Sequence, residues 1–452
     1  MMIKSVVALP VALIMLAMSS CRDHSKGIPV VYNCAANAAD IAALETEIPG
    51  FEAASGIRIR LNPFTGQDKL YAMMVAGQTP DIFYTNNTMR DHLAAEGRLL
   101  DLRTVSNDDP FVTRLWPAIV KSGTSVDGGW YSVGNWSYTI GVYYNREMFD
   151  AEGIPYPDTA WTWEQMRGIA RRLTKDRDGD GVPDVYGIFI GSHFVETIEM
   201  MNGAGIAPRA LTASITNESA EAFSMYLSLM KEKIMPDLRR IQAMGMQPSQ
   251  LLEGGRVGML MEAVPHQMLI ETMNIKWGVA PVPRIPGKPV RYFRSGSGGL
   301  SISARTQNPK AAWEALKWIV AGAQVYQPNP VLRDIDFVAG WKQRYPQLVG
   351  SGFDDVWNLS LQHDGGDPRF FVRYSSWTSA SILERLQPAL DRLWAGAITV
   401  DDLRAQMPEV NAHVRRDLQD LAMRQELHPA FRADIERALR GLEGGAERSP
   451  NR

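Results

Sequence analysis

The chain has 452 residues, of which 45% are hydrophobic and 21% are charged, and its formal net charge at pH 7 is -3. This length and composition allow a large core and favour two or more domains. Because the charge balance offers no strongly basic face, we expect no nucleic-acid partner.

The N-terminus has the layout of a secretory signal peptide. Lys4 precedes an apolar run over residues 6–17, which is short for a bilayer span, and small residues then lead to Cys21. The ending Met18-Ser-Ser-Cys21 resembles a bacterial lipobox, in which the cysteine becomes the lipidated first residue of the mature chain. We therefore expect a signal peptide over 1–20, a tether over 21–27 and attachment to the membrane through Cys21.

An ordinary signal peptide cut near the same place is the alternative. Cys21 and Cys34 are the only two cysteines. If Cys21 carries lipid, Cys34 is left as a buried thiol, whereas an unlipidated Cys21 would allow a disulfide between the two in an oxidising compartment.

Strand and helix patterns follow one another along the body of the chain. The predicted strands cover residues 28–32, 57–61, 81–84, 139–144, 257–261, 277–281 and 301–303. The predicted helices cover residues 38–55, 68–76, 161–173 with Thr162 as N-cap, 218–234, 309–320, 379–393 and 400–416. The strand–helix–strand order of the first part predicts a parallel sheet covered by helices. The charged, glycine-rich residues 441–452 predict a flexible tail.

Several short motifs resemble, in order and spacing, those of the family-1 extracellular solute-binding proteins. The motifs are Gly56-Ile-Arg-Ile59, Gly77-Gln-Thr-Pro-Asp81, Gly141-Val-Tyr-Tyr-Asn145, Thr162-Trp-Glu164, Glu253-Gly-Gly-Arg-Val-Gly-Met259, Gly299-Leu-Ser-Ile-Ser303 and Pro309-Lys-Ala-Ala-Trp313. The resemblance covers roughly residues 30–425 and implies a two-lobed periplasmic-binding-protein-like α/β fold of type II. Each lobe is then expected to be a mainly parallel sheet flanked by helices, with a hinge and a cleft between the lobes.

The resemblance also implies how the chain divides and what it does. The first lobe is expected over 28–138 and 297–330, and the second over 139–296 and 331–440. The implied function is that of the extracytoplasmic substrate-binding component of an ABC importer. The resemblance further implies a monomer in the periplasm or on the outer face of the cell envelope. The chain is then expected to take a carbohydrate or polyol, require no cofactor and deliver its cargo to membrane permeases.

Polar and aromatic side chains stand where this family places ligand contacts. Sugars present apolar C–H faces that stack on aromatic rings, and hydroxyls that hydrogen-bond to amides, carboxylates and imidazoles. The predicted ligand-binding residues are Asn33, Asn86, Asn87, Trp136, Tyr138, Glu262, His266, Arg294, Tyr374 and Trp377. For Trp136 and Tyr138 the alternative is packing, and for the asparagines it is turn formation.

The acidic segment Asp176-Arg-Asp-Gly-Asp180 matches the front of a calcium loop. Carboxylates at Asp176, Asp178, Asp180 and Asp184 occupy loop positions 1, 3, 5 and 9, with glycine at position 6. Gly187 replaces the usual glutamate at position 12, although a distant carboxylate such as Glu196 could substitute. We predict a structural calcium ion here, with a metal-free acidic turn as the alternative.

The usual catalytic signatures are missing. The sequence contains neither a His-Glu-x-x-His helix nor a Gly-x-Ser-x-Gly elbow. We therefore expect no catalytic residues and no enzyme. The rival functions are a secreted carbohydrate-active enzyme, whose paired carboxylates are a spatial rather than a sequential feature, and a sensor that uses the same fold without transport.

Overall fold

The computed structural model describes most of the chain from residue 29 onward. The described residues are 29–34, 38–63, 66–134, 138–203, 212–288, 294–295, 298–322, 331–362, 377–424 and 427–444. The predicted signal peptide, the tether and Cys21 lie outside them. Within them, no helix combines the length and the apolar character that a bilayer span needs.

A four-stranded sheet forms the centre of the first lobe. Its strands are β1 (Val30–Cys34), β2 (Ile59–Pro63), β3 (Ile82–Thr85) and β9 (Gly299–Ile302), in the order β2-β1-β3-β9. The first three are parallel, and β9 pairs with β3 in the antiparallel direction. The late strand thus completes the early sheet, and the chain must leave this lobe and return to it.

A second sheet holds the remaining strands. These are β4 (Tyr138–Asn145), β5 (Tyr186–Ile190), β6 (Val257–Val264), β7 (Trp277–Pro281) and the short β8 (Arg294–Ser295). The order is β5-β6-β4-β7, with β8 paired to β4. All residues of β4 except the first are buried, as expected for a strand that is covered on both faces.

The second sheet corrects one detail of the predicted fold. The two-lobed α/β class is confirmed, but β4 runs antiparallel to β6, β7 and β8, and only β5 and β6 are parallel. The reason is the end of the second sheet at which the chain enters it from the first lobe. β4 begins at the end of the sheet where β6 and β7 finish, since Thr139 pairs with Val264 and Gly141 with Pro281. Hydrophobic patterning reports burial and carries no information about strand direction.

Helices cover both sheets. In the first half of the chain they are α1 (Ala38–Ser55), α2 (Gln67–Val75), α3 (Asn87–Ala95), α4 (Pro110–Arg114), α5 (Pro117–Gly123), α6 (Arg146–Ala151), α7 (Trp163–Leu173), α8 (Val195–Met201) and α9 (Asn217–Lys231). In the second half they are α10 (Leu238–Met244), α11 (Pro248–Glu253), α12 (Gln267–Thr272), α13 (Pro309–Gly322), α14 (Phe337–Arg344), α15 (Phe353–Gln362), α16 (Ser379–Trp394), α17 (Val400–Ala405), α18 (Met407–Ala422) and α19 (Pro429–Gly444).

Most predicted helices are confirmed, with two differences in the C-terminal part. Thr162 caps α7 as predicted, and its side chain and that of Gln165 form a reciprocal capping box. The helix predicted over 400–416 is divided into α17 and α18, and Pro408 lies in the first turn of α18, where proline is tolerated. The last helix extends to Gly444, into the segment predicted as a tail.

Two hydrophobic clusters make up the core. The smaller lies around the first sheet and includes Val331 and Leu332, just beyond the predicted end of the first lobe. The larger joins the second sheet to α16–α19 and also takes in Leu93 of α3. The backbone N–H of His428 donates to the carbonyl of Ala95 at 3.2 Å. The C-terminal helices therefore contact both lobes, and the lobe boundaries stay a prediction. Cys34 is a buried thiol at the end of β1.

Candidate functional site

Two crossing segments connect the sheets and bring one edge of each together. Val133 pairs with Leu300 on the side of the first sheet, and Tyr138 pairs with Ser295 on the side of the second. The step from Val133 to Tyr138 covers as many residues as the step from Leu300 back to Ser295. The pairings on the two sides of the crossing therefore have the same offset along both strands.

We call the two sheet ends that meet this crossing the first edge and the second edge. The first edge comprises the carboxyl ends of β1, β2 and β3. The second edge comprises the carboxyl ends of β5, β6 and β7 together with the start of β4. Ligands of open α/β sheets bind beyond the carboxyl ends of the strands, so the space between these edges is the candidate site.

Asn33 is the most unusual side chain at the first edge. It is only 2% exposed, and neither its amide oxygen nor its amide nitrogen has a hydrogen-bond partner among the described residues. Its backbone is in register with Asn62 of β2 and Phe83 of β3, one residue before β1 ends. A buried amide without partners costs about 1–3 kcal/mol, and a ligand that supplied both partners would recover that cost.

Asn86 and Asn87 follow β3 at the same edge, and each has its amide oxygen occupied. Asn86 caps α3, because its Oδ1 accepts a hydrogen bond from the N–H of Met89 at 2.8 Å. The Oδ1 of Asn87 accepts from Nη1 of Arg90 at 3.0 Å. The local backbone role considered for the asparagines thus applies to Asn86. Within the described part of the chain, no hydrogen bond occupies the amide N–H groups of either residue.

Glu262 lies at the second edge, close to the end of β6. Its side chain is half-buried, and burial raises the pKa of its carboxyl group, although the N–H of Ala263 donates to Oε1 at 2.8 Å and opposes that shift. Its backbone is opposite Gly141 of β4. The carboxyl group is therefore poised to accept hydrogen bonds from a polar ligand in a partly desolvated place.

Tyr143 holds the turn that carries His266. The phenol O–H of Tyr143 donates to the carbonyl of Ala263 and accepts from the N–H of His266, both at 3.2 Å. Burial raises the pKa of the Tyr143 hydroxyl, so it stays protonated. His266 caps α12 through Nδ1, which accepts from the N–H of Leu269, and burial lowers the pKa of the imidazole. The ring is thus neutral at physiological pH.

The other predicted ligand residues divide into three groups. Tyr138 is half-buried and stands at the start of β4, beside the crossing. Arg294 contributes its backbone to β8, but its side chain is not described. Trp136 and Tyr374 lie outside the described residues.

Trp377 requires a correction, because the structure places it in the core. Its indole is 6% exposed, and Nε1 donates to Asp434 at 3.0 Å. The ring also packs edge-on against Phe431, with centroids 5.7 Å apart, and against His92 at 4.9 Å. The sequence shows that an aromatic residue precedes a helix, but it does not show which surface that helix packs against. Trp377 is therefore not part of the proposed site.

The acidic loop lies at the opposite end of the second sheet, between α7 and β5. One carboxylate oxygen from each of Asp176, Asp178 and Asp184 lies within 4.8 Å of the others. Asp180 does not belong to this group, and its Oδ1 accepts from the N–H of Val182. Three carboxylates suit a hard cation such as Ca²⁺, and backbone N–H groups of Gly179 and Gly181 already position Asp176. The calcium ion stays a prediction.

Sequence reasoning missed a buried ion pair behind the first edge. Arg90 and Asp91 are 2% and 3% exposed, and Nη2 of Arg90 lies 2.8 Å from Oδ1 of Asp91. The available signal was spacing, because Arg90 stands three residues after Asn87 on α3 and such pairs share a helix face. Sequence reasoning also missed His193, which follows β5 at the second edge.

Sequence comparison identifies the family. The chain matches the family model described as bacterial extracellular solute-binding protein over residues 35–324. The chain belongs to this family. A protein of Brucella abortus (strain 2308), named only as a binding protein, is 24% identical over 209 residues, which is 44% of this chain and 48% of that protein. The chain thus matches about half the length of that curated relative.

Solved structures support the two-lobed fold of this solute-binding protein. The ABC substrate-binding protein Lmo0181 of Listeria monocytogenes, in complex with cycloalternan, has a TM-score of 0.67 at 17% identity and covers 86% of this chain and 98% of its own. The maltotriose-bound MalE domain of Bdellovibrio bacteriovorus has a TM-score of 0.63 at 16% identity, with 87% and 100% covered. A ribitol-bound solute-binding protein of Agrobacterium radiobacter K84 has a TM-score of 0.63 at 18% identity, with 86% and 99% covered.

Proposed function

We propose that this solute-binding protein captures a carbohydrate or polyol between its first and second edges and delivers it to the permeases of an ABC importer. The buried, unpartnered amide of Asn33 carries the proposal. An amide that gains both its donor and its acceptor partner only when a ligand is present makes ligand binding stabilising and the empty state costly.

The chemistry of the two edges fits a ligand rich in hydroxyl groups. The first edge offers the amides of Asn33, Asn86 and Asn87, and the second offers the carboxyl group of Glu262 and the neutral imidazole of His266. A hydroxyl group both donates and accepts, so one sugar or polyol can satisfy all of these groups. The solved relatives that bind cycloalternan, maltotriose and ribitol add support from the same fold.

The remaining parts of the proposal concern where the protein works and how it is held. The family is extracellular, which is consistent with a place in the periplasm or on the outer face of the envelope. We propose attachment through a lipid on Cys21, a monomeric state and no turnover of the bound compound. Lobe closure around the crossing segments would bury the ligand, and reopening would release it to the permeases.

Thermal-shift screening of the full chain tests the ligand class. The panel contains maltotriose, ribitol and other mono- and oligosaccharides and polyols. A compound that binds only the folded state raises the free energy of unfolding by about 2.7 kcal/mol when its concentration is 100 times Kd. We expect at least one such compound to raise Tm, and chromatography to recover it unchanged. Product formation would favour a carbohydrate-active enzyme, and a panel without any shift would contradict the proposed ligand class.

The sensor alternative is separated by transport itself. A strain that lacks this chain should lose uptake of the radiolabelled compound selected by the panel, and the intact chain should restore it. Normal uptake in the deletion strain would instead favour a sensor that shares the fold.

A further inference from the structure

The buried ion pair on α3 lies directly behind one of the proposed ligand contacts. Nε and Nη2 of Arg90 donate to Oδ1 of Asp91 at 3.0 and 2.8 Å, and Oγ of Ser125 donates to the same oxygen at 3.0 Å. Nη1 of Arg90 also donates to the backbone carbonyl of Ser122. Burying two charges has a large desolvation cost, and an apolar pair of similar volume is often at least as stable. The pair therefore calls for an explanation other than stability.

The same guanidinium decides which way the amide of Asn87 faces. Nη1 of Arg90 lies 3.0 Å from Oδ1 of Asn87. A guanidinium group has donors only, so the amide nitrogen of Asn87 cannot take that position. The amide N–H₂ group must then point to the other side of the Cβ–Cγ axis. In Asn86 the N–H of Met89 fixes the amide in the same sense.

We infer that Arg90, held by Asp91, is a positioning residue that orients Asn87 so that the first edge presents amide N–H donors to the acceptor oxygens of the ligand. The inference rests on the proposed function and deepens it. The positive end of the α3 dipole adds to the preference for an acceptor at this place. Since Glu262 at the second edge offers acceptor oxygens, the ligand is bound with its acceptors toward the first lobe and its donors toward the second.

A ligand-free measurement tests the orienting role in the full chain. Because removal of one charge could unfold the protein, the variant replaces both, Arg90→Met with Asp91→Leu. We expect the side-chain N–H₂ order parameter of Asn87, measured by NMR relaxation, to fall below about 0.6, the range of flexible groups. Asn86, which is held by a backbone N–H, is the internal control and should stay ordered. An unchanged Asn87, or equal loss of order in both residues, would overturn the inference.

A double-mutant cycle then tests the consequence for binding. The probe is the panel compound that gives the largest thermal shift. The Arg90→Met/Asp91→Leu variant should bind it about tenfold more weakly. In an Asn87→Ala background the same replacement should change the affinity less than about twofold, because its effect passes through Asn87. A tenfold loss in both backgrounds would overturn the inference. If no panel compound binds, the proposed function fails, while the NMR result still decides the role of Arg90.

Discussion

The two edges of the site are built from different chemistry. The first edge uses neutral amides, and two of them are held in place, one by a backbone N–H and one by a buried ion pair. The second edge uses Glu262 and His266, and burial shifts the pKa values of both toward their neutral forms. The comparison indicates that the contacts offered by the first edge are amides that do not titrate, whereas the second edge makes the site sensitive to pH.

The largest expected effect is at Asn33 of the first edge. Asn33→Leu removes a buried amide that has no described partner, so the free energy of unfolding should rise by about 1–3 kcal/mol. Affinity for the panel compound should fall about 100-fold, equivalent to about 2.7 kcal/mol, because the ligand loses both hydrogen bonds. Urea unfolding and calorimetric titration measure the two changes.

Asn202 supplies the matched control for that prediction. It is also 2% exposed, but its Nδ2 donates to the carbonyl of Glu218 at 2.9 Å and to a carboxylate oxygen of Glu221 at 2.8 Å. Asn202→Leu should therefore destabilise the protein and leave ligand affinity unchanged. Equal destabilisation by both variants would mean that Asn33 is an ordinary structural amide.

The next effect is a backbone change at Gly298, a glycine of the crossing that lies against the first edge. Gly298 has φ +74°, and an added Cβ would lie 2.1 Å from the carbonyl oxygen of Thr85. Gly298→Ala should lower the free energy of unfolding by about 2–4 kcal/mol and weaken binding, because the strand end that carries Asn86 must move. Gly287, with φ +78° and open space around it, is the control, and Gly287→Ala should cost only about 1–2 kcal/mol. Similar losses would show that backbone strain alone matters.

A smaller effect tests the pH sensitivity of the second edge. Burial raises the pKa of Glu262, so the folded state binds its proton more tightly than the unfolded state does. Between the ordinary value of 4.5 and the raised value, this carboxyl group therefore lowers the free energy of unfolding as pH rises. Glu262→Gln should raise Tm relative to wild type at pH 7.5 and have no such advantage near pH 4. Binding at pH 7.5 should weaken a few-fold, because a charge-assisted acceptor is lost.

The exposed residue Glu147 provides the control for this titration. Differential scanning fluorimetry from pH 4 to pH 7.5 compares wild type, Glu262→Gln and Glu147→Gln. Only Glu262→Gln should change the slope of Tm against pH. If the curve of Tm against pH for Glu262→Gln ran parallel to that of wild type, the proposed difference in pH sensitivity between the edges would be wrong. Burial lowers the pKa of His266, so the unfolded state binds a proton on this ring more tightly than the folded state does. This imidazole therefore lowers the free energy of unfolding as pH falls below its ordinary pKa of 6.5.

The smallest effect concerns the acidic loop, which is in the second lobe but at the far end from the second edge. Millimolar Ca²⁺ should raise the free energy of unfolding by about 1 kcal/mol if the loop has the affinity of extracellular calcium modules. Asp178→Asn should abolish the increase, and Mg²⁺ should not reproduce it. Ligand affinity should be the same with Ca²⁺ and with chelator. A Ca²⁺ effect that survives in Asp178→Asn would place the ion elsewhere.

Local patterns were enough to predict most elements near the site. The strands that end at Cys34 and Thr85 and the strand that starts at Tyr138 follow from apolar runs. The cap at Thr162 follows from the hydrogen-bonding capacity of a threonine side chain. Placing Asn33, Asn86 and Asn87 at one edge also follows, because parallel strands end on the same side. Strand β5 was missed, since its short run lies directly after the acidic loop.

The sequence by itself determined the periodic elements and the residue types near the strand ends, because each depends on neighbours within a few positions along the chain. The two-lobed class came from the resemblance of its motifs to those of the solute-binding family. Only the tertiary structure decided the direction of β4 and the burial of Trp377 in the core. It also decided that Arg90 contacts both Asp91 and Asn87, and that the Asn33 amide has no hydrogen-bond partner among the described residues. Those features depend on which distant segments fill the space around a side chain. Burial, hydrogen-bond satisfaction and pKa are properties of that surrounding space.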